Sequence, residues 1–473
     1  MLYPSKKLID DPNAVETEFI EGFTDTYSEI QYLDGFPKVK VVLRADVSGS
    51  TNNKVAVISG GGSGNEPAHA GFVGEGMLTA AICGDVFASP PVESILAGIH
   101  AVTGDPGCLL IVKNYMHDRL SFGLAAEIAK SEGYKVEVVI VGDDCALPPP
   151  RGITGRRGLA GTILVEKVAG AAAASGLSLE EVTAEAKYAS QMVGTMGVAL
   201  SICTLPGRFI LDRLGPRKME LGFGIHGEEP GADVVELQPV DDIVCHFLEK
   251  ILSRETNYVP ITRGCRMVLM INGLGATPLM ELMIAAGRAV YMLQLEYGLD
   301  AERVYTGSFM TSLDTAGFSI TVMNADERIL KRLDAPTKAP NWPVSAFDRP
   351  RGRIPVPLPP SPSKKAEKSC RPEELSIHGE ILETAIKAAA TAAIRLKDAL
   401  NEWDRKVGDG DCGSNMFNGA TAILEDLKTC YPLNDAAATV SKIECSIRNV
   451  MGGKSGIIYR IFFKAGYTHL RAN

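Results

Sequence analysis

From about residue 38 to 330, short β-branched runs alternate with alanine-rich or amphipathic segments. KVKVVLR (38–44), KVAVIS (54–59), CLLIVK (108–113) and KVEVVIV (135–141) read as strands: each is a short apolar run bounded by turn formers. Between them FGLAAEIAKSEG (122–133) has helical spacing and ends on a glycine stop. Ser178 with Glu181 makes a capping box that opens the helix SLEEVTAEAKYASQMV. A second group follows: RMVLMI (266–271), then GLGATPLMELMIAAGRAV as turn and helix, then SITVM (319–323). The alternation predicts an α/β unit of two lobes over residues 1–335, divided at about 195, with ligands at the C-terminal ends of strands.

Residues 336–373 break the pattern. The window 336–372 holds ten of the 27 prolines, including VPLPPSP followed by the charged SKKAEKS, and reads as an extended, semi-rigid linker. Beyond it, Leu382, Ile386, Ala389, Ala393, Leu396, Leu400 and Trp403 recur at spacings of three and four, one apolar helical stripe. SNMFNGATAILEDLKT (414–429) repeats the period, and GIIYRIFF (456–463) carries the sole strand signal of this region. Residues 374–473 are therefore expected to form a short helical domain.

At 45% hydrophobic and 22% charged residues, the composition is that of a soluble globular protein. The net charge of −9 argues against a general nucleic-acid binder, which needs a basic face. Ten scattered cysteines without a C-x-x-C pair read as reduced thiols. With no signal-peptide core at the N-terminus and no spanning stretch, a cytosolic protein that binds no membrane is expected.

Three segments can carry chemistry. GGGSGNEPAHAGFVGEG (60–76) directly follows a strand, but Asn65 breaks the dinucleotide pattern and Met77 the P-loop pattern. Its backbone N–H groups suit a small, oxygen-rich ligand. GFGIHGEEPG (222–231) sets His226 between glycines, as an approachable nucleophile requires, although a lone loop histidine is often inert. In NYMHDRL (114–120), Asp118 lies just past a strand that ends in Lys113, placed to act as a base, to bind a hydroxyl or simply to cap a helix. In the helical part, WDRKVGDGDCGSNM (403–416) brings Asp404, Asp409 and Asp411 together between glycines. Three such carboxylates repel unless a cation sits among them, and hard oxygens suit Mg²⁺ holding a nucleotide; a polar turn is the alternative. An EF-hand is excluded because Asn415 stands where its glutamate belongs. MGGKSG (451–456) is not a P-loop, since Arg448 replaces the required glycine, but its turn can still offer N–H groups to phosphate.

Taken together, GGGSG-x-EPAHAGFVGEGMLTAAICGDVFASP, VGDDCALPPPRGITGRRGLAGT, VGTMGVALSICTLPG and ELGFGIHGEEPG resemble the substrate-binding K domain of the single-chain, ATP-dependent dihydroxyacetone kinase family. VGDGDCGSNM and MGGKSG resemble its nucleotide-binding L domain. The resemblance implies a two-lobed α/β K domain of mixed sheets with flanking helices, joined by the proline-rich linker to an all-α helical-bundle L domain. It further implies ATP and Mg²⁺ as cofactors, dihydroxyacetone or a similar small ketose or aldose as partner, and a homodimer through the K domain. Gly62, Ser63, Gly64 and Asn65 would cradle the ketone, and His226 would add to its carbonyl as a hemiaminal. Lys113 and Asp118 would bind its hydroxyl, with Asp118 activating the oxygen that receives phosphate. Asp404, Asp409 and Asp411 would hold the metal, while Asp411, Cys412, Gly413, Ser414, Gly453, Lys454 and Ser455 would bind nucleotide.

Three departures qualify that picture. The family's GGGSGHEP has Asn65 in place of histidine, its NYTGD is NYMHD here, and the helical domain is about half the usual length. A half-bundle is expected to leave apolar surface exposed. His117 is a candidate replacement for the imidazole lost at 65. The expectation is a dihydroxyacetone kinase, impaired by Asn65 and the short helical domain. A catalytically silent ketose-binding paralogue is the alternative, and an FAD cyclase-type lyase the third reading.

Overall fold

The computed structural model describes residues 7–49, 52–146, 155–209, 214–226, 233–343, 371–448 and 450–472. Most of the proline-rich segment, part of the VGDDCALPPPRGITGRRGLAGT string and residues 227–232 after His226 lie outside the described residues. The chain divides into two units, Met1–Pro350 and Arg351–Asn473.

The first unit is built on two six-stranded sheets. One contains β1 (Ile30–Tyr32), β2 (Val41–Arg44), β3 (Ala56–Ser63), β4 (Ala80–Val86), β5 (Cys108–Lys113) and β6 (Val136–Val141), in the order β1-β2-β4-β3-β5-β6. Strands β4, β3, β5 and β6 are parallel neighbours, and β2 joins β4 antiparallel. The other contains β7 (Val193–Ala199), β8 (Lys218–Leu221), β9 (Val234–Glu236), β10 (Arg266–Gly273), β11 (Asp300–Gly307) and β12 (Gly317–Asn324), in the order β11-β10-β12-β7-β8-β9. Only β10 and β11 pair in parallel there; the rest are antiparallel.

Helices flank the sheets: α1 (Val15–Thr26), α2 (Val92–Val102), α3 (Met116–Ser131), α4 (Gly161–Ala174), α5 (Leu179–Gln191), α6 (Val240–Ile251), α7 (Leu279–Leu295) and α8 (Glu327–Asp334). The capping box at Ser178 and Glu181 is formed in full, a local lock worth ~1 kcal/mol. Helix α4 is buried almost along its whole length, because it packs in the core shared by both lobes. It carries two adjacent buried charges. Lys167 is satisfied by donating to the carbonyls of Arg332 and Ala335 at 2.8 Å, the open end of α8, and burial pushes its ammonium down to about 8. Its neighbour Glu166 faces the site described below.

Two of the boundaries that differ from the sequence expectation bear on the site. Strand β3 does not stop at Ser59 but runs through the glycines to Ser63, so the glycine run is buried strand rather than open loop. The reason is close approach: a Cβ on Gly62 would lie 2.7 Å from the Ala88 amide nitrogen. Helix α3 begins at Met116 rather than 122, which places Asp118 in its first turn. The hydrogen bond the Asp118 carboxylate accepts comes from Ser89, not from the helix's own N–H groups.

The second unit is helical among its described residues: α9 (Ile377–Arg395), α10 (Lys397–Asp404), α11 (Cys412–Asp426), α12 (Ala436–Arg448) and α13 (Gly453–Ala472). The expected single stripe is broken at Leu396 into α9 and α10. GIIYRIFF is helix, not strand. Its β-branched residues favour a strand locally, but a lone strand among helices would leave its backbone groups unpaired. The helices close on Leu427, Tyr431, Leu433 and Ile443, beside an apolar cavity of about 340 Å³. Ile457, Ile458, Ile461 and Phe462 of α13 remain exposed. No described helix is long and apolar enough to cross a membrane.

Candidate functional site

In the α/β unit the residues flagged by sequence gather where β3 and β5 end and α3 begins. Lys113, the last residue of β5, is fully buried. Its Nζ donates to the Gly60 carbonyl (3.1 Å) and to His69 Nε2 (3.0 Å), and lies 3.7 Å from Asp118 Oδ2. Gly61 makes room for it, since any Cβ there would collide with that ammonium. Asp118 is 2% exposed, and its Oδ1 accepts a short hydrogen bond from the Ser89 hydroxyl. Behind Lys113, His69 Nδ1 stands 2.6 Å from Glu166 Oε1.

The glycine-rich segment is tied down on both sides. Ser63 Oγ donates to the Gly84 carbonyl (2.7 Å), and the Gly64 N–H donates to the Glu66 carboxylate (2.9 Å). The buried Asn65 donates through Nδ2 to the carbonyls of Ile225 (3.0 Å) and Thr311 (2.7 Å), while its Oδ1 has no hydrogen-bond partner among the described residues. Asn65 thus ties the end of β3 to the residue directly before His226. From the other side, Arg157 bonds Asp144 Oδ2 and the Gly222 carbonyl, both at 2.7 Å, and holds the start of that same segment.

His226 sits between two aromatic rings, with centroids 5.3 Å from Phe87 and 4.7 Å from Tyr115. Burial pushes its imidazole down to about 3 from an ordinary 6.5; the Lys113 and Arg157 charges act in the same direction and Asp118 opposes them. These surroundings favour the neutral ring, in which one nitrogen carries a lone pair instead of a proton. His117 is exposed, on the solvent side of α3, and does not join this group. The imidazole that does join it is His69, in the string NEPAHAG, four residues past Asn65. Sequence reasoning passed over it because a histidine flanked by alanines and bounded by glycine carries no motif of its own.

In the helical unit, Asp404, Asp409 and Asp411 each offer a carboxylate oxygen within 4.8 Å of the others. Asp404, at the end of α10, also builds the loop: its Oδ2 accepts from the N–H groups of Gly410 (2.9 Å), Asp411 (3.0 Å) and Cys412 (3.2 Å). Asp411 Oδ2 accepts from Asn415 Nδ2 at 2.9 Å. Cys412, Gly413 and Ser414 form the first turn of α11, where Ser414 exchanges two 3.0 Å hydrogen bonds with Asn401. Gly453, Lys454 and Ser455 form the first turn of α13, and a Cβ on Gly453 would lie 3.9 Å from Asn415 Nδ2. Two helix N-termini therefore open beside the carboxylates, a place where backbone N–H groups and helix dipoles attract phosphate. Three clustered hard oxygens fit Mg²⁺.

The chain matches the Dak1 domain over residues 21–341 and the DAK2 domain over residues 406–473. It is 74% identical over 475 residues to a Solanum lycopersicum protein named as a candidate 3,4-dihydroxy-2-butanone kinase, covering 100% of this chain and 80% of that one. It is 42% identical over 476 residues to the triokinase/FMN cyclase of Rattus norvegicus, covering 99% and 80%. The crystal structure of the C. freundii dihydroxyacetone kinase in complex with AMP-PNP and Mg²⁺ matches with a TM-score of 0.72 and 38% identity, over 99% of this chain and 84% of that chain. The two domain matches and this agreement in fold over nearly the whole length show that the chain belongs to the dihydroxyacetone kinase family.

Proposed function

We propose that the protein phosphorylates dihydroxyacetone, or a small hydroxyketone like it, with ATP and Mg²⁺, holding the ketone as a hemiaminal on His226. The observation that carries this reading is the His226 imidazole held between the Phe87 and Tyr115 rings, in the field of the buried Lys113–Asp118 pair. A nitrogen lone pair of His226 forms the bond to the carbonyl carbon. The C=O π pair moves onto oxygen, which takes up a proton, and the imidazole loses its N–H proton, so that N–H has added across C=O. Glycerol has no carbonyl to accept that lone pair, which gives selection for the ketone. Asp118 then accepts the proton of the hydroxyl that is phosphorylated, its carboxylate held by the Ser89 hydroxyl. Asn65 Oδ1, buried and without a partner among the described residues, is an acceptor for the ketone's second hydroxyl.

In the helical unit Asp404, Asp409 and Asp411 would hold Mg²⁺, which supplies neutralisation of phosphate charge when bound. Cys412, Gly413, Ser414, Gly453, Lys454 and Ser455 offer the phosphates two helix N-termini and an ammonium. Pairing of two copies through the α/β unit is part of the same reading. It is supported by the exposed apolar face of α7, where Leu279, Met280, Met283, Ile284 and Leu295 face outward.

The test is Mg·ATP-dependent phosphorylation with dihydroxyacetone and with glycerol. Turnover on the ketone alone is expected. No turnover, with ketone still bound in a His226-dependent way, would replace the kinase with a silent ketose-binding protein.

Asn65 separates the two outcomes further. Asn65→His is expected to raise kcat, because an imidazole exchanges a proton and an amide does not. It is also expected to lower the melting temperature. A neutral imidazole has one N–H for the two carbonyls, of Ile225 and Thr311, that Asn65 now serves, and one lost hydrogen bond costs ~1 kcal/mol. An unchanged kcat would mean that residue 65 does not limit the rate.

A further inference from the structure

We infer that His69, held by Glu166, is a positioning residue that sets the distance between the Lys113 ammonium and the Asp118 carboxylate. The inference rests on the reading of Asp118 as the proton acceptor. Lys113 is buried completely, so each of its three N–H donors needs a partner. The Gly60 carbonyl takes one at 3.1 Å and His69 Nε2 takes a second at 3.0 Å. The third is directed by the first two, and Asp118 Oδ2 is left at 3.7 Å, beyond hydrogen-bond contact.

The chemistry of the chain fixes the tautomer. Because an ammonium only donates, Nε2 must accept, and the ring proton therefore sits on Nδ1 and goes to Glu166 Oε1 at 2.6 Å. Ser59 Oγ, 3.3 Å from Nδ1, donates its own proton to the Ile111 carbonyl at 2.8 Å. That bond to His69 is the only one the Glu166 side chain makes among the described residues, and among them its buried Oε2 has no partner. A buried carboxylate with this single bond has one evident task, to orient the imidazole, much as carboxylates orient metal-binding histidines. Burial first, and then the Lys113 charge, push His69 below its ordinary range, against the opposite pull of Glu166 and Asp118, which agrees with a neutral ring.

Without the imidazole, Lys113 would turn to the strong acceptor nearest it among the described residues, Asp118, and close the gap to a tight ion pair. A carboxylate locked into such a pair is a poorer proton acceptor and is drawn off its position. His69 thus competes with Asp118 for the ammonium and keeps the carboxylate available.

The experiment compares His69→Asn with His69→Gln in the full chain. Asparagine can still serve Glu166 but falls short of Lys113, whereas the glutamine carbonyl reaches it. His69→Asn is expected to lower kcat about 10²-fold, the order of cost that a misplacement of about 1 Å carries. Ketone binding should stay intact and His69→Gln should recover most of the rate. A wild-type kcat in His69→Asn, or His69→Gln as slow as His69→Asn, would overturn the proposal. If His69→Asn fails to fold, Glu166→Leu, which removes the acceptor for Nδ1–H, takes its place: kcat reduced with ketone binding intact supports the proposal, and an unchanged kcat overturns it. Asp118→Asn distinguishes failure of the underlying reading. Should that variant turn over like wild type, Asp118 is not the proton acceptor, whatever His69 does.

Discussion

His226→Gln is expected to abolish capture of dihydroxyacetone and to lower phosphorylation by at least ~10²-fold, the contribution lost when a substrate is no longer held in a reactive geometry. Glutamine keeps polarity and approximate size between the Phe87 and Tyr115 rings but has no lone pair basic enough to add to a ketone. The ¹³C spectrum of dihydroxyacetone labelled at the carbonyl carbon reads this directly. With the wild-type chain a protein-bound tetrahedral carbon appears, and with the variant it does not. A tetrahedral signal that survives in His226→Gln would assign the covalent link elsewhere.

The same residue fixes a pH dependence. An ordinary imidazole loses its lone pair to a proton around pH 6.5, whereas burial and the nearby cations push His226 down to about 3. Capture is therefore expected to be flat from pH 8 down to about 5, across a range in which an unperturbed histidine would lose more than nine-tenths of its activity. The sign for stability follows from linkage. Below pH 6.5 the unfolded chain takes up a proton that the folded chain refuses, so the contribution of His226 is full above 6.5 and declines as pH falls from there towards 3. A capture profile with a midpoint near 6.5 would show that the ring is solvated and that its surroundings do not tune it.

The regular parts of the α/β unit were legible because their signals are local. CLLIVK and KVEVVIV carry the period of buried strands, and Ser178 with Glu181 satisfy each other within three residues. What escaped reading is set by neighbours distant in sequence. The glycines at 60–62 look like loop until β4 and the segment at Phe87 and Ala88 are known to press against them. GIIYRIFF has strand propensity but no strand to pair with. His69 becomes meaningful only when Lys113, 44 residues on, and Glu166, 97 residues on, close around it. Set beside the family string, Asn65 shows only as a lost imidazole. Its amide in this chain joins the end of β3 to Ile225, and so helps to place His226.

For the helical unit the informative substitution is Asp409→Asn. The three aspartates do not report equally on metal binding, because Asp404 Oδ2 accepts three backbone N–H groups and Asp411 accepts from Asn415. Removing Asp404 would leave those N–H groups without their acceptor and loosen the loop itself, so lost activity there has two explanations. Asp409 accepts no hydrogen bond from a described residue and is exposed, so its carboxylate has no structural duty that an amide fails to meet. Asp409→Asn is expected to leave the melting temperature and ketone capture unchanged. It should raise the Mg²⁺ concentration needed for half-maximal rate and lower kcat on the order of 10²-fold, the cost typical of losing one charge-stabilising group at a reacting centre. Chelation of Mg²⁺ should likewise stop phosphorylation and leave the tetrahedral ¹³C signal in place, because capture needs only His226 and its surroundings. If Asp409→Asn showed the wild-type Mg²⁺ requirement and rate, the aspartate cluster would be a polar turn, and the cation would have to be held by other oxygens of the chain.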